Sequence, residues 1–216
     1  MSCSRDPCTH IADITTFENW HKGRKYYGVW MYRFDDASLI SLLSQLATSI
    51  SIALTTLPIH NFHITLFASG FLSLSKNYDD DISFTTLQRQ INVLKTCSLA
   101  APHFVITGLT ANAYNVYLTL TETSDVTTQL RHKLAATQRE IPYTPYVLHM
   151  TLGNYWKKHT LAHVITTLST LPLPTFPIIL PSCWLEFVAL KATIPIRPDI
   201  GLCHDHFITL YRDKRV

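Results

Sequence analysis

The sequence predicts an α+β fold of two pseudo-symmetric lobes packed as one unit, on three observations. First, 47% of the 216 residues are hydrophobic and only 15% are Asp, Glu, Lys or Arg, which supports a substantial core and excludes disorder. Second, segments with strand period and helix period alternate along the chain. Third, a strand–helix–strand unit recurs at a shift of 86 positions, the separation of His63 and His149.

Residues 1–24 read as an irregular arm ending in the basic patch Lys22-Gly23-Arg24-Lys25, followed by one domain over 25–216 whose lobes meet near 110–115. Tyr26 to Phe34 is aromatic and β-prone, a strand. Asp35 or Asp36 caps a helix over 37–54, with Leu39, Leu43, Leu46 and Ile50 on one stripe and Ser41, Ser44 and Thr48 opposite. No Asp, Glu, Lys or Arg occurs from Ala37 to Ser75, so this segment is also long enough to cross a bilayer. Its polar stripe argues for a core-facing helix, and no membrane span is expected. A strand over 61–68, a helix over 83–98 carrying Phe84, Leu87, Ile91 and Leu94 on one face, and a strand over 103–109 follow.

The pattern then repeats. A strand over 115–121 leads into a helix over 125–140, with Ser124 as N-cap and Val126, Leu130 and Leu134 at fourfold spacing. A strand over 146–153, a helix over 158–171 and strands over 176–180, 184–191 and 206–212 complete the chain. The shift of 86 carries the strand at 29–35 onto 115–121 and the helix at 37–54 onto 123–140. Residue identity between the halves is poor, so the repeat is one of pattern.

A formal net charge of +3 and a sequence pI near 8.6 suit an anionic ligand. They fall short of the strongly basic profile of a duplex-coating protein, so duplex DNA is not an expected partner. The five cysteines, at 3, 8, 97, 183 and 203, are scattered and odd in number. They do not read as a disulfide framework, and a cytoplasmic location is expected. The N-terminus lacks a basic head followed by an apolar run, so no signal peptide is expected.

The chemistry sits in His63-Ile64-Thr65-Leu66 and His149-Met150-Thr151-Leu152. The bare HxT triplet is near chance frequency in a Thr-rich chain with eleven histidines, whereas HxTL is expected only about 0.2 times. In a strand, residues i and i+2 share a face, so each motif offers an imidazole and a hydroxyl to one surface and anchors itself by its apolar residues on the other. Cleaving a phosphodiester needs a base for the attacking hydroxyl or water and an acid for the leaving oxygen. Histidine serves both near neutral pH. The Thr hydroxyls can bond the non-bridging oxygens as charge accumulates on phosphorus.

On these motifs, their separation and the repeated element order, the chain from about Tyr26 to Arg212 resembles the 2H phosphoesterases, the LigT-like or 2′-5′ RNA ligase-like proteins. The resemblance implies a bilobal fold, each lobe a mainly antiparallel sheet with flanking helices, around a central cleft. It implies catalytic roles for His63 and His149 and phosphate binding by Thr65 and Thr151. Members act on 2′,3′-cyclic phosphates, 2′-5′ linkages, RNA 3′ ends or cyclic nucleotides. Bacterial ligase-like members often follow the motifs with a basic residue; here Phe67-Ala68 and Gly153-Asn154 follow, so the tRNA-processing branch is not favoured.

The expected activity is therefore a metal-independent phosphodiesterase, a hydrolase acting on a nucleotide or RNA terminus, without a cofactor and as a monomer. The alternative is a nucleotide- or RNA-binding module of the same fold with little or no turnover. Tyr155, Trp156, Tyr143 and Phe71 are candidates to stack a base. Metal readings are weaker. His159 and His163 are one helical turn apart but lack the Glu of a metalloprotease helix, and His204-Asp205-His206 and the Cys3, Cys8, His10 group show no full ligand set.

Overall fold

The computed structural model describes residues 7–11, 19–98, 100–141, 145–192 and 207–215. Its order is β1 (Tyr26–Arg33), α1 (Ala37–Leu54), β2 (Thr56–Pro58), β3 (His63–Ser73), β4 (Asp81–Ser83), α2 (Phe84–Lys95), β5 (Phe104–Ala111), β6 (Asn115–Glu122), α3 (Val126–Ala135), β7 (His149–Tyr155), α4 (Leu161–Thr170), β8 (Ile178–Ile179), β9 (Cys183–Lys191) and β10 (Phe207–Arg215). Two five-stranded sheets result. Sheet 1 has the order β10-β9-β1-β3-β4 and sheet 2 the order β2-β7-β6-β5-β8. Every pairing is antiparallel except β3 with β4.

Each expected element is present, with shorter ends at β8 and α3. The two short strands β2 and β4 were not expected, because three residues carry too little period to read. The helix starts follow local chemistry. Asp36 accepts from the Leu39 amide at 2.8 Å, and Ser83 and Thr160 cap α2 and α4 in the same way. The start of α3 differs from expectation. Asp125 sits there in the left-handed region and Ser124 does not cap; the Glu122 carboxylate instead accepts from the Val126 and Thr127 amides. A carboxylate at the positive end of the helix dipole satisfies the same orphan donors.

The expected meeting of the lobes near 110–115 falls on the β5–β6 hairpin, inside sheet 2. The chain leaves sheet 1 briefly after α1 to place β2 on the edge of sheet 2, returns for β3 and β4, crosses again between α2 and β5, and comes back between β8 and β9. The helices are exchanged. α1, which leaves from β1 in sheet 1, packs on β2, β7 and α4, whereas α3, which leaves from sheet 2, packs on β3 and α2. A shared main core results, running from Trp30, Tyr32 and Ile64 through Leu43 and Ile50 to Leu118, Met150 and Leu152, with a second, smaller cluster of Tyr27, Val29, Met31, Phe71 and Val188 in sheet 1. Among the described residues α1 is the one helix long and apolar enough to cross a membrane. Its Leu39, Leu43, Leu46, Ala47, Ile50 and Leu54 are buried in this core.

The described part of the arm is tied down rather than loose. Cys8 forms a β-bridge with Thr160, and the Thr9 amide donates to the His159 carbonyl at 2.9 Å. Arg24 lies on the Phe71 ring and bonds the Asp80 and Asp81 carboxylates. Cys8 is disulfide-bonded, contrary to the expectation of unpaired cysteines, while Cys97 and Cys183 are free.

Candidate active site

β3 and β7 lie side by side across the junction of the sheets, and each begins on its motif histidine. Both show the same alternation. His63, Thr65, His149 and Thr151 are half-buried, while Ile64, Leu66, Met150 and Leu152 are sealed in the core. The repeat holds at the level of register. His63 pairs with Arg33 and Thr65 with Met31; 86 positions on, His149 pairs with Thr119 and Thr151 with Tyr117.

The imidazoles are held alike. His63 Nδ1 donates to the Asn61 carbonyl at 2.7 Å, and His149 Nδ1 donates to the Val147 carbonyl at 2.7 Å. A carbonyl can only accept, so each neutral ring carries its proton on Nδ1 and leaves Nε2 bare. Burial pushes the His63 imidazole below its ordinary value. The bond to the Asn61 carbonyl opposes that, and the charges of Arg33 and His149 add to the depression.

Thr65 and His149 open onto one cavity of about 290 Å³, whose other walls include Tyr117, Tyr146, Arg131 and Glu140. His63 and Thr151 stand outside that lining. The Tyr117 ring meets His149 edge-on, with centroids 5.3 Å apart. The Tyr146 hydroxyl donates to the Thr65 carbonyl at 2.8 Å and is pushed above its ordinary range by burial, so it stays protonated. Arg131 lies 3.7 Å above the Tyr146 ring, pairs with Glu140 at 2.5 Å and donates to the Leu66 carbonyl. α3 thus reaches across to clamp the strand of the first motif. A larger cavity of about 440 Å³ lies beyond Glu140, beside Asp79 and Arg139, and neither motif lines it.

The stacking candidates fare differently. Tyr155 is 0% exposed and Phe71 is fully buried against Trp20 and Tyr27, so neither offers a ring face to a ligand. Tyr155 falls on a core-facing strand position, whereas Phe71 shares the face of Thr65 and is sealed there in a second apolar cluster with Tyr27, Val29, Met31 and Val188. Trp156 is half-buried beyond β7, outside the cavity lining. Tyr143 lies outside the described residues, as do Cys3 and His204-Asp205-His206. The residues that sequence reasoning missed are Tyr117, Arg131 and Glu140. The repeat could have found Tyr117, since it is the position matching Met31. Arg131 and Glu140 become neighbours of β3 only through the helix exchange. His159 stacks on His163 and turns Nε2 to the Leu54 carbonyl; among the described residues no three potential metal ligands gather.

The architecture is the fold of E. coli LigT, shared with solved structures of low sequence identity. The apo crystal structure of E. coli LigT matches with a TM-score of 0.57 at 13% identity, covering 89% of this chain and 98% of that one. E. coli LigT complexed with NADP+ matches with a TM-score of 0.59 at 12% identity over 88% and 98% of the two chains. The protein TT0787 of Thermus thermophilus matches with a TM-score of 0.52 at 15% identity over 88% and 97%. No protein-family model matches the chain, and no curated protein matches it in sequence.

Proposed function

We propose that the chain is a 2H-type phosphodiesterase that hydrolyses a nucleotide or RNA-end phosphodiester, a 2′,3′-cyclic phosphate or a 2′-5′ linkage, without a metal in the chemical step. The observation that carries the reading is the paired geometry of His63-x-Thr65 and His149-x-Thr151. They lie on strands that approach each other from the two sheets, in matching registers with their own partners β1 and β6, and both Nδ1 atoms are tied to carbonyls two residues back.

His63, depressed toward the neutral form, is the general base: its bare Nε2 removes the proton from the attacking water. The water oxygen bonds to phosphorus as the bond to the ribose oxygen breaks. By elimination His149 is the acid, and its Nε2 proton passes to that leaving oxygen. Thr65 and Thr151 bond the non-bridging oxygens while negative charge builds on them. The Asn61 and Val147 carbonyls hold both rings in the tautomer this cycle requires. A nucleotide substrate accords with the NADP+ and 3′-AMP complexes formed by the structurally similar LigT.

A panel of 2′,3′-cyclic mononucleotides, 2′-5′ oligonucleotides and cyclic dinucleotides, assayed in EDTA, tests this. Turnover is expected on at least one class and is lost in His63→Ala and His149→Ala. Binding without turnover would favour the recognition module, and turnover that survives both substitutions would defeat the mechanism.

A further inference from the structure

Sheet 1 and sheet 2 carry the motifs in matching registers, yet what continues each row differs. Across sheet 1 the partners of His63 run Arg33, Trp184 and Lys214 from β1 to β9 to β10, and those of Thr65 run Met31, Glu186 and Arg212. Directly paired residues of antiparallel strands share a face. Both rows therefore lie on the face that presents the histidine, while Leu185, Phe187 and Tyr211 fill the core face behind. Across sheet 2 the matching positions are Thr119 and Gly108 beside His149, and Tyr117 and Thr110 beside Thr151. One face is charged and aromatic; its pseudo-symmetric counterpart has no charge at these positions.

The charged rows are built rather than scattered. Glu186, 1% exposed, is held by Arg33 at 3.0 Å and Arg212 at 2.8 Å. Arg212 lies 3.9 Å over the Trp184 ring, with the Lys214 ammonium 5.7 Å from the same ring. The indole N–H donates to Asp35 at 2.7 Å, which fixes its plane. Three cations face the two carboxylates Glu186 and Asp35, leaving positive charge in surplus. Arg212 remains 48% exposed and Lys214 is exposed. From β3 to β10 is three strand spacings, about 14 Å, which reaches past a single nucleotide.

We propose that this face of sheet 1 holds the RNA strand adjoining the scissile phosphate, its backbone on Arg33, Arg212 and Lys214 and a base against Trp184. The substrate is then the end of a single-stranded oligoribonucleotide rather than a free mononucleotide. The proposal rests on the phosphodiesterase reading of the two motifs, which supplies the phosphate at one end of the track. Cations along the backbone with an aromatic ring among them are the pattern by which proteins hold single strands with little regard to sequence.

The test reads binding alone. A labelled single-stranded RNA of roughly eight nucleotides ending in a 3′-phosphate is titrated by fluorescence anisotropy at several salt concentrations, with a 3′-phosphorylated mononucleotide as competitor. The oligonucleotide is expected to bind at least about ten-fold more tightly than the mononucleotide, since it adds phosphate contacts. Arg212→Gln with Lys214→Gln is expected to abolish that gain and to flatten the slope of log K against log salt by about 1.4, two cations at about 0.7 each. Lys214→Gln alone touches no buried carboxylate and flattens it by about 0.7, which covers a double variant that misfolds. An oligonucleotide that binds no better than the mononucleotide, or slopes unchanged in both variants, overturns the assignment. Absence of turnover in the substrate panel would sink the phosphodiesterase reading while leaving these affinities interpretable.

Discussion

The strands of the two motifs are nearly interchangeable in backbone and quite different in surroundings. β3 and β7 share register, alternation and the carbonyl that orients each imidazole. Beside His63 stands Arg33, a guanidinium bound to a buried carboxylate; at the matching place beside His149 stands Thr119, whose hydroxyl meets that of Thr107 at 3.0 Å. A duplicated scaffold fixes where the groups stand, and unlike neighbours set how each behaves. The proposed cycle needs one neutral and one protonated imidazole, a division of labour that unlike neighbours can impose.

The comparison can be broken outright at the imidazoles. His63→Ala and His149→Ala are each expected to lower kcat by about 10²–10⁴. The losses should be far from additive in the double variant, read by steady-state kinetics on the best substrate of the panel. At the hydroxyls, Thr65→Val and Thr151→Val are expected to lower kcat by about 10²–10³ with little change in KM, as for donors that act on developing charge. A rise in KM alone would mean ground-state binding only.

A finer test makes one lobe resemble the other. Arg33→Thr removes a charge that depresses His63, so its imidazole should titrate at higher pH in an NMR titration. The acid limb of the kcat/KM profile should move the same way, and a limb that stays put would detach His63 from the base role. Stability carries the same sign. With the folded His63 depressed, the unfolded chain takes up this proton first as pH falls. Its contribution is full above the unfolded value of about 6.5 and is lost as pH drops toward the lower folded value. The decline of Tm below about pH 6.5 should be shallower in His63→Gln. Smallest is Tyr146→Phe, which deletes the bond to the Thr65 carbonyl and should lower stability by about 1 kcal/mol in urea denaturation.

Most of the secondary structure was legible because its signals are local. Asp36 before an apolar stripe starts α1, and the alternation of HITL and HMTL places imidazole and hydroxyl together. The shift of 86 carried further than the pattern suggested, down to the residue pairs Arg33 with His63 and Thr119 with His149. What stayed hidden depends on who packs against whom. That α3 would deliver Arg131 to the β3 backbone, or that Glu122 would replace Ser124 at its cap, is a matter of tertiary approach. Tyr155 and Trp156 show the same limit: neighbours in the chain, one is sealed in the core and the other half-exposed.

The helix exchange also limits how the two sheets can move apart. α1 grows from one sheet and is cemented into the other, and α3 makes the reverse crossing, so the halves are interlocked like clasped hands. Swinging the lobes apart would tear Leu43, Ile50 and Leu130 out of a shared core. At the rim of the cavity, by contrast, Tyr146 and the Arg131–Glu140 pair lean over the Thr65 strand through single side-chain contacts. The same interlock means that each lobe, expressed alone, keeps one helix on its sheet, α2 on β4 or α4 on β5, and lacks the other, α3 or α1.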